Sequence, residues 1–303
     1  MNMIIDDRQT ILVLGINGML GHKVFEVLSN DNNLNVFGTL RNKNILLKFV
    51  AAKFQNNLLE VDAVGNIDKL SNIINKIKPA VVINCIGIIK QSSSCQDYLT
   101  TIEVNALFPH KLAKLCSSFS SKLITIATDC VFDGQKIGAY TENDLPTCHD
   151  LYGMSKYLGE VNYDNHLTLR TSIIGHELFS HVSLLDWFLN EDADSVLGYT
   201  NAIFSGFTTL EFATVLKDKI LPIKNLHGLY HFSVNPISKY DLLTTIGKIY
   251  KKEIKIIPDS KVKINRALES EKIRRIIKYS PPNWEDLINN MYQDYLSSKY
   301  YNH

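Results

Sequence analysis

From residue 10 onward, short apolar runs alternate with segments in which apolar side chains recur every three or four positions. Residues 10–14, 36–40, 58–61, 81–85, 123–127 and 167–171 are mostly apolar runs of the length that predicts buried strands. Residues 18–28 carry Leu20, Val24, Val27 and Leu28 on one helical face. Residues 67–77 are amphipathic and stop before Pro79. Residues 97–119 form a long helical stretch with Pro109 inside it, where a kink or break is expected. Residues 151–161 predict one more helix. This alternation implies right-handed crossovers and an α/β fold, a Rossmann-like doubly wound parallel sheet. After residue 171 the rhythm loosens. Helical spacing returns at 181–189, 209–220, 238–250 (Ser238 as N-cap) and 284–295, with a strand-like run at 228–232. Residues 190–195 are polar and predict a loop.

Composition narrows the function. Thirty-two basic against 31 acidic residues leave a net charge of +1, which argues against a dedicated nucleic-acid or anionic-membrane surface. No apolar run reaches the roughly 18 residues a membrane helix needs. The first nine residues carry two acids and no long apolar core, so no signal peptide is expected and a cytoplasmic location is. The five cysteines form no CxxC pair, so neither a zinc site nor a disulfide framework is suggested, and reduced thiols are expected.

Two motifs carry candidate chemistry. Gly15, Gly18 and Gly21 stand between the first strand and the first helix, in the spacing GxxGxxG. Glycines there let the backbone turn tightly and approach a pyrophosphate seated on the helix N-terminus. Asn17, Met19 and Leu20 belong to the same loop and are counted with it as cofactor-binding. The second strand ends in Thr39, Leu40 and Arg41, without the acid that would bind an adenosine 2′-hydroxyl. Arg41 suits a 2′-phosphate instead, so NADPH is the expected cofactor and NADH the second choice. Asp62, after the third strand, is placed to meet the adenine amino group or to cap a turn. Cys85, Ile86 and Gly87, after the fourth strand, are placed to line the nicotinamide side.

Tyr152 and Lys156 lie four residues apart and project from one helical face. A lysine cation beside a phenol lowers its pKa and makes Tyr152 a proton donor to a carbonyl that receives hydride. Thr128, at the carboxyl end of the fifth strand, can donate to the same oxygen or cap the strand end. Asn105 sits within a helix that its amide does not favour. It is expected to relay a proton through water toward Lys156, a solvated helix asparagine being the alternative.

This set resembles the extended short-chain dehydrogenase/reductases. Residues 127–134, ATDCVFDG, are similar to the STDYVFDG signature of dTDP-4-dehydrorhamnose reductases. Residues 151–160, LYGMSKYLGE, resemble their YGxSKxxGE segment, and residues 169–172, LRTS, the strand that follows. The resemblance is best from residue 10 to about 175. Cys130 replaces the usual aromatic residue, residues 84–91 depart from the usual sequence, and Ser205–Thr209 stands where a GxPT-like turn is expected. These departures lie toward the substrate side and bear on the sugar, not on the hydride chemistry.

The resemblance implies NADPH-dependent reduction of the C4 keto group of a nucleoside-diphosphate 4-keto-6-deoxy sugar. Tyr152 would supply the proton, Lys156 would hold the nicotinamide ribose, and Thr128 would orient the carbonyl. The expected division is a dinucleotide-binding domain over residues 1–175, with 199–232 returning to it. A substrate-binding lobe is expected from 176–198 and 233–303. Candidate substrate contacts are Lys90, Gln91, Thr128, Asp129, Trp187, Ser205 and Arg266, the last facing the diphosphate. Family members often pair through the helices near 100–118 and 151–161, which makes a homodimer an expectation. Two other readings stay open: a nucleotide-sugar epimerase of the same superfamily, and a non-catalytic subunit like the reductase-like regulatory subunit of methionine adenosyltransferase. His227 and His231 have helical metal spacing but lie in a strand-like context, and no metal site is expected. The basic cluster 272–278 predicts a solvated helix face.

Overall fold

The computed structural model describes residues 8–90 and 93–301. In chain order its first half runs β1 (Gln9–Leu14), α1 (Met19–Ser29), β2 (Leu34–Leu40), β3 (Leu58–Glu60), α2 (Ile67–Ile77), β4 (Val81–Asn84), α3 (Tyr98–Ile102), α4 (Phe108–Ser118), β5 (Lys122–Thr128), α5 (Leu151–Leu158) and β6 (Leu167–Thr171). The second half holds β7 (Ile173–Ile174), α6 (Leu184–Asn190), β8 (Ser195–Phe204), β9 (Phe207–Thr208), α7 (Thr209–Val215), β10 (Gly228–His231), β11 (Ile237–Ser238), α8 (Lys239–Tyr250), β12 (Lys255–Asn265), α9 (Glu271–Ile277) and α10 (Trp284–Ser297).

A seven-stranded sheet in the order β3-β2-β1-β4-β5-β6-β10 forms the centre, and all its pairings are parallel. This is the expected doubly wound, Rossmann-like arrangement. Strand periodicity explains why both faces are covered. Ile11 and Val13 of β1 enter a core with Val24, Phe25, Leu28 and Phe212, while Leu12 and Leu14 enter another with Leu70, Ile74, Phe108 and Leu112. The order reverses between β1 and β4, so the carboxyl ends of these strands open a crevice.

The stretch around Pro109 departs from expectation. It does not break: α3 and α4 are joined by a π turn, Glu103–Leu107, and Pro109 falls in the first turn of α4. Proline cannot donate to the carbonyl four residues earlier, that of Asn105, and a π turn absorbs such a loss within a continuous helix. Gly159 packs on that carbonyl so closely that a Cβ there would lie 1.9 Å from it.

Two long strands were not expected at all. β8 and β12 run parallel, with a register shift between Asp259 and Lys263, and β11 joins the other side of β8. β12 is an edge strand with three lysines, a proline and mostly exposed side chains, which removes the apolar alternation that marks a strand. α6, α8 and α10 pack with this small sheet through Leu185, Phe188, Val196, Leu242, Ile246, Ile288 and Met291. β10 lies beside β6 in the large sheet, and α7 packs on α1. The basic cluster forms α9, with Ile273 and Ile277 buried beneath it. Among the described residues, no helix is long and apolar enough to cross a membrane.

Candidate active site

The glycine loop rises from β1 at the crevice. Gly15 has φ +78°, a conformation that favours glycine, and a Cβ there would lie 2.9 Å from the Ile86 side chain. A Cβ on Gly21 would lie 2.1 Å from the Gly15 carbonyl oxygen. Both glycines are therefore required by the chain's own packing. Gly18 is different: it is exposed, and a Cβ would make only an ordinary 3.5 Å contact with the Gly15 carbonyl oxygen. Gly18 is also the N-cap of α1 and gives that end no side-chain cap. An uncapped helix N-terminus behind a glycine loop fits an anionic pyrophosphate. Asn17 and Met19 are half-buried, and the Leu20 side chain packs into the core, which leaves its contribution to the loop to the backbone.

Arg41 is exposed just past β2, with no ion pair or hydrogen bond among the described residues. Asp62 is exposed and accepts from the Gly65 N–H at 3.2 Å, so it does cap a turn. Cys85 and Ile86 follow β4 half-buried, and Gly87 is exposed. Burial pushes the Cys85 thiol up to about 12, with Lys156 acting against it.

α5 brings in the tyrosine–lysine pair. Asp150 caps the helix by accepting from the Gly153 N–H at 2.8 Å, and pairs with Lys90 at 2.9 Å. Lys156 Nζ donates to the Ile126 carbonyl of β5 at 2.7 Å and is also near Gly87, whose added Cβ would lie 3.8 Å away. Burial pulls the Lys156 ammonium down to about 8, with Glu160 opposing. The Tyr152 phenol moves the other way from the expected lowering. Burial pushes it above the usual tyrosine range, with Cys130 adding to the effect and the Thr128 hydroxyl opposing it. Desolvation wins because the lysine ammonium is turned to a backbone carbonyl.

Thr128 ends β5 and caps a short 3₁₀ turn, accepting from the Cys130 N–H at 3.2 Å and donating to Asp129 at 3.3 Å. Asp129 is buried, and burial raises its carboxyl pKa while Arg266 and Lys239 act against the rise. Arg266 donates to the Phe132 carbonyl at 2.7 Å and approaches the Cys130 thiol at 3.8 Å.

Asn105 is fully occupied. Its amide accepts from the Ile88 N–H at 2.9 Å and donates to the Ile88 carbonyl at 3.0 Å and the Ser155 hydroxyl at 3.3 Å. The side chain clamps the segment after β4 onto α5. Ser205 is buried and accepts from the Leu268 N–H at 3.0 Å, so its hydroxyl faces the protein interior, not the crevice. Trp187 is 38% exposed on α6. Gln91 lies outside the described residues.

Four contributors were not singled out from sequence. Asp150 reads as an N-cap but gives no hint of Lys90. Lys239 opens α8 and reaches Asp129 only through the fold. Glu160 and Arg170 form a buried bidentate pair at 2.6 and 2.8 Å behind Lys156. Glu160 follows Lys156 by one helical turn, which was the available signal.

Similarity to known proteins fits this geometry. The sequence model of the RmlD substrate binding domain family matches residues 9–183, more than half of the chain. The protein belongs to that family. It is an RmlD-like extended short-chain dehydrogenase/reductase. A dTDP-4-dehydrorhamnose reductase from Aggregatibacter actinomycetemcomitans is 25% identical over 93% of this chain and 97% of its own. The beta subunit of methionine adenosyltransferase 2 from Danio rerio is 29% identical over 79% of this chain and 73% of its own. Among solved structures, a dTDP-4-dehydrorhamnose reductase from Bacillus anthracis in complex with NADP superposes with a TM-score of 0.76. It is 19% identical and covers 95% of this RmlD-like chain and 99% of its own. The Bordetella bronchiseptica enzyme WbmG in complex with NAD also gives 0.76, at 15% identity over 99% and 97%. At such identities the structural likeness speaks for the fold alone.

Proposed function

We propose that this protein reduces the C4 keto group of a nucleoside-diphosphate 4-keto-6-deoxy sugar, with NADPH as cofactor and NADH as the second choice. The observation that carries this reading is the meeting of Tyr152 and Thr128 at the carboxyl end of β5, beside Lys156 and across the crevice from the uncapped glycine loop. The NADP- and NAD-bound neighbours and the reductase relative support it.

A bound nicotinamide supplies hydride to the carbonyl carbon. Tyr152 donates its phenolic proton to the carbonyl oxygen, and burial keeps that proton on the phenol until a substrate oxygen arrives. The Thr128 hydroxyl orients the same oxygen. Lys156, charged below about pH 8, holds the nicotinamide ribose. The glycine-loop N–H groups would hold the pyrophosphate of the cofactor, and Arg41 would pair with its adenosine 2′-phosphate. Arg266 and Lys239 meet the sugar's diphosphate, with Lys90 farther out. Asn105 serves by fixing the Ile88 segment, and any proton relay passes beside it. We place the protein in the cytoplasm, consistent with five free cysteines. We also take it to be a homodimer, paired through apolar side chains exposed on α3 and α5.

One observation favours a second reading, a non-catalytic regulatory subunit: the similarity to the beta subunit of methionine adenosyltransferase 2. NADPH oxidation with a panel of dTDP- and UDP-4-keto-6-deoxy sugars separates the two. Turnover with one donor is expected, reduced about 10²–10⁴-fold in Tyr152→Phe. NADPH binding without turnover on any donor would favour the regulatory reading, and tightly retained NAD an epimerase.

A further inference from the structure

Two adjacent tyrosines late in the sequence, Tyr300 and Tyr301, touch the glycine-loop helix. His22, in the first turn of α1, is fully buried. Its Nδ1 lies 2.9 Å from the Gly18 carbonyl oxygen and its Nε2 2.5 Å from the Tyr301 hydroxyl. A carbonyl oxygen only accepts, so Nδ1 carries a proton. Burial and the adjacent Lys23 pull the His22 pKa down to about 3, which leaves the ring neutral and Nε2 bare. The Tyr301 hydroxyl must therefore donate to Nε2. The Gly18 carbonyl thus sets the tautomer, and the Tyr301 hydroxyl satisfies the bare Nε2 and holds the ring against the loop.

The consequence falls on one peptide plane. The Gly18 carbonyl accepts from both the His22 backbone N–H, at 3.1 Å, and the His22 ring. That carbonyl belongs to the same planar trans peptide as the Met19 N–H, which points the opposite way. Pinning the oxygen back along the helix aims the Met19 N–H out of its uncapped end.

Tyr301 is itself held by both halves of the molecule. Its ring lies 5.4 Å from Tyr295 of α10 and 5.1 Å from His176, which bonds Asp186 of α6 and the Tyr250 hydroxyl of α8. Lys23 of α1 is 1% exposed, pairs with Asp294 of α10 at 2.7 Å and sits 5.3 Å over the Tyr301 ring. Ser298 donates to Glu26 of α1 at 3.1 Å, and Tyr300 stacks on Phe49.

We propose that Tyr301 is a positioning residue for the cofactor: through His22 it fixes the Gly18–Met19 peptide that faces the pyrophosphate, so the C-terminal segment and the cofactor stabilise each other's bound positions. This inference rests on the nicotinamide-cofactor reading above. Linkage requires the effect to be reciprocal.

The test measures NADPH binding to the full-length protein and to Tyr301→Phe, which keeps the ring over Lys23 and removes only the hydroxyl. The expected result is a Kd raised roughly five- to tenfold, the scale of one lost hydrogen bond, in a variant that still melts cooperatively. The imidazole ¹⁵N signal of His22 Nε2 should also shift, because that nitrogen loses its donor. A second measurement needs no variant: saturating NADPH should slow carboxypeptidase release of Tyr301 and Tyr300, once the residues after them are removed, several-fold. An unchanged Kd in folded Tyr301→Phe overturns the inference, even if its melting temperature falls, because a merely structural contact would do only that. Release rates indifferent to NADPH overturn it equally, and decide the matter if the variant does not fold. If the parent protein binds neither NADPH nor NADH, the cofactor reading itself fails, a result distinct from equal binding by parent and variant.

Discussion

Lys156 shows how far a residue's behaviour follows from its type and how far from its surroundings. The four-residue spacing from Tyr152 was legible, because helical geometry puts both side chains on one face. The direction of the pKa shifts was not. Burial of the pair, the Ile126 carbonyl that accepts from the ammonium and the Arg170 that holds Glu160 behind it depend on strands outside this helix. The sign of the pH effect follows. Lys156 titrates near 8 in the free protein and is charged below that. Ribose hydroxyls that accept from the ammonium favour the charged form, so cofactor affinity is full below about pH 8 and declines above it. A single linked proton sets the limit at about tenfold in Kd per pH unit. NADPH titrations from pH 6.5 to 9.5 should show this bend, and Lys156→Met should bind more weakly with the bend abolished. A flat parent profile would count against ribose binding by Lys156.

At the scale of elements, the large sheet was readable because its strands are apolar on both faces, while the 98–118 helix was readable only in extent. Pro109 signalled a disturbance, yet its remedy, the π turn at Glu103–Leu107, depends on Gly159 from another element. β12 escaped because an exposed edge strand rich in lysine carries no period-two apolar signal, and β8 because Gly198, Thr200 and Asn201 interrupt its apolar positions. Tyr301 escaped for a related reason: it belongs to no sequence motif, and its role comes from contact with His22, 279 positions away. The π turn and α5 make a testable joint. In Gly159→Ala the new methyl would start 1.9 Å from the Asn105 carbonyl oxygen, a backbone atom that cannot swing aside. α5 must shift, carrying Tyr152 and Lys156 with it. Denaturant unfolding should show a loss of about 1–3 kcal/mol, the range for overpacking. Turnover should fall more than cofactor affinity, because the proton donor is displaced while the glycine loop is untouched. Wild-type stability in Gly159→Ala would mean that this contact is looser than the backbone geometry indicates.

At the scale of the whole molecule, the question is what covers the flank of the sheet. The inner sides of α2 and α4 are filled by Leu70, Ile74, Phe108 and Leu112. Outside, Tyr98, Leu99 and Ile102 of α3 and Met154, Tyr157 and Leu158 of α5 are exposed, Leu99 at 83%. With a net charge of only +1, long-range repulsion does little to keep two copies apart. The two helices pack against each other, so one two-fold operation can lay the pair on its own copy and bury these side chains at once. The crevice opens at the carboxyl edge of the sheet, so such pairing leaves the glycine loop free. Light scattering after gel filtration should therefore report about twice the 34.4 kDa chain mass at micromolar concentration. Leu99→Asp combined with Leu158→Asp should halve that mass and leave NADPH affinity within about twofold, because neither residue belongs to the cofactor loop. A parent protein that runs at the single-chain mass would remove the dimer from the reading and leave this flank as surface only.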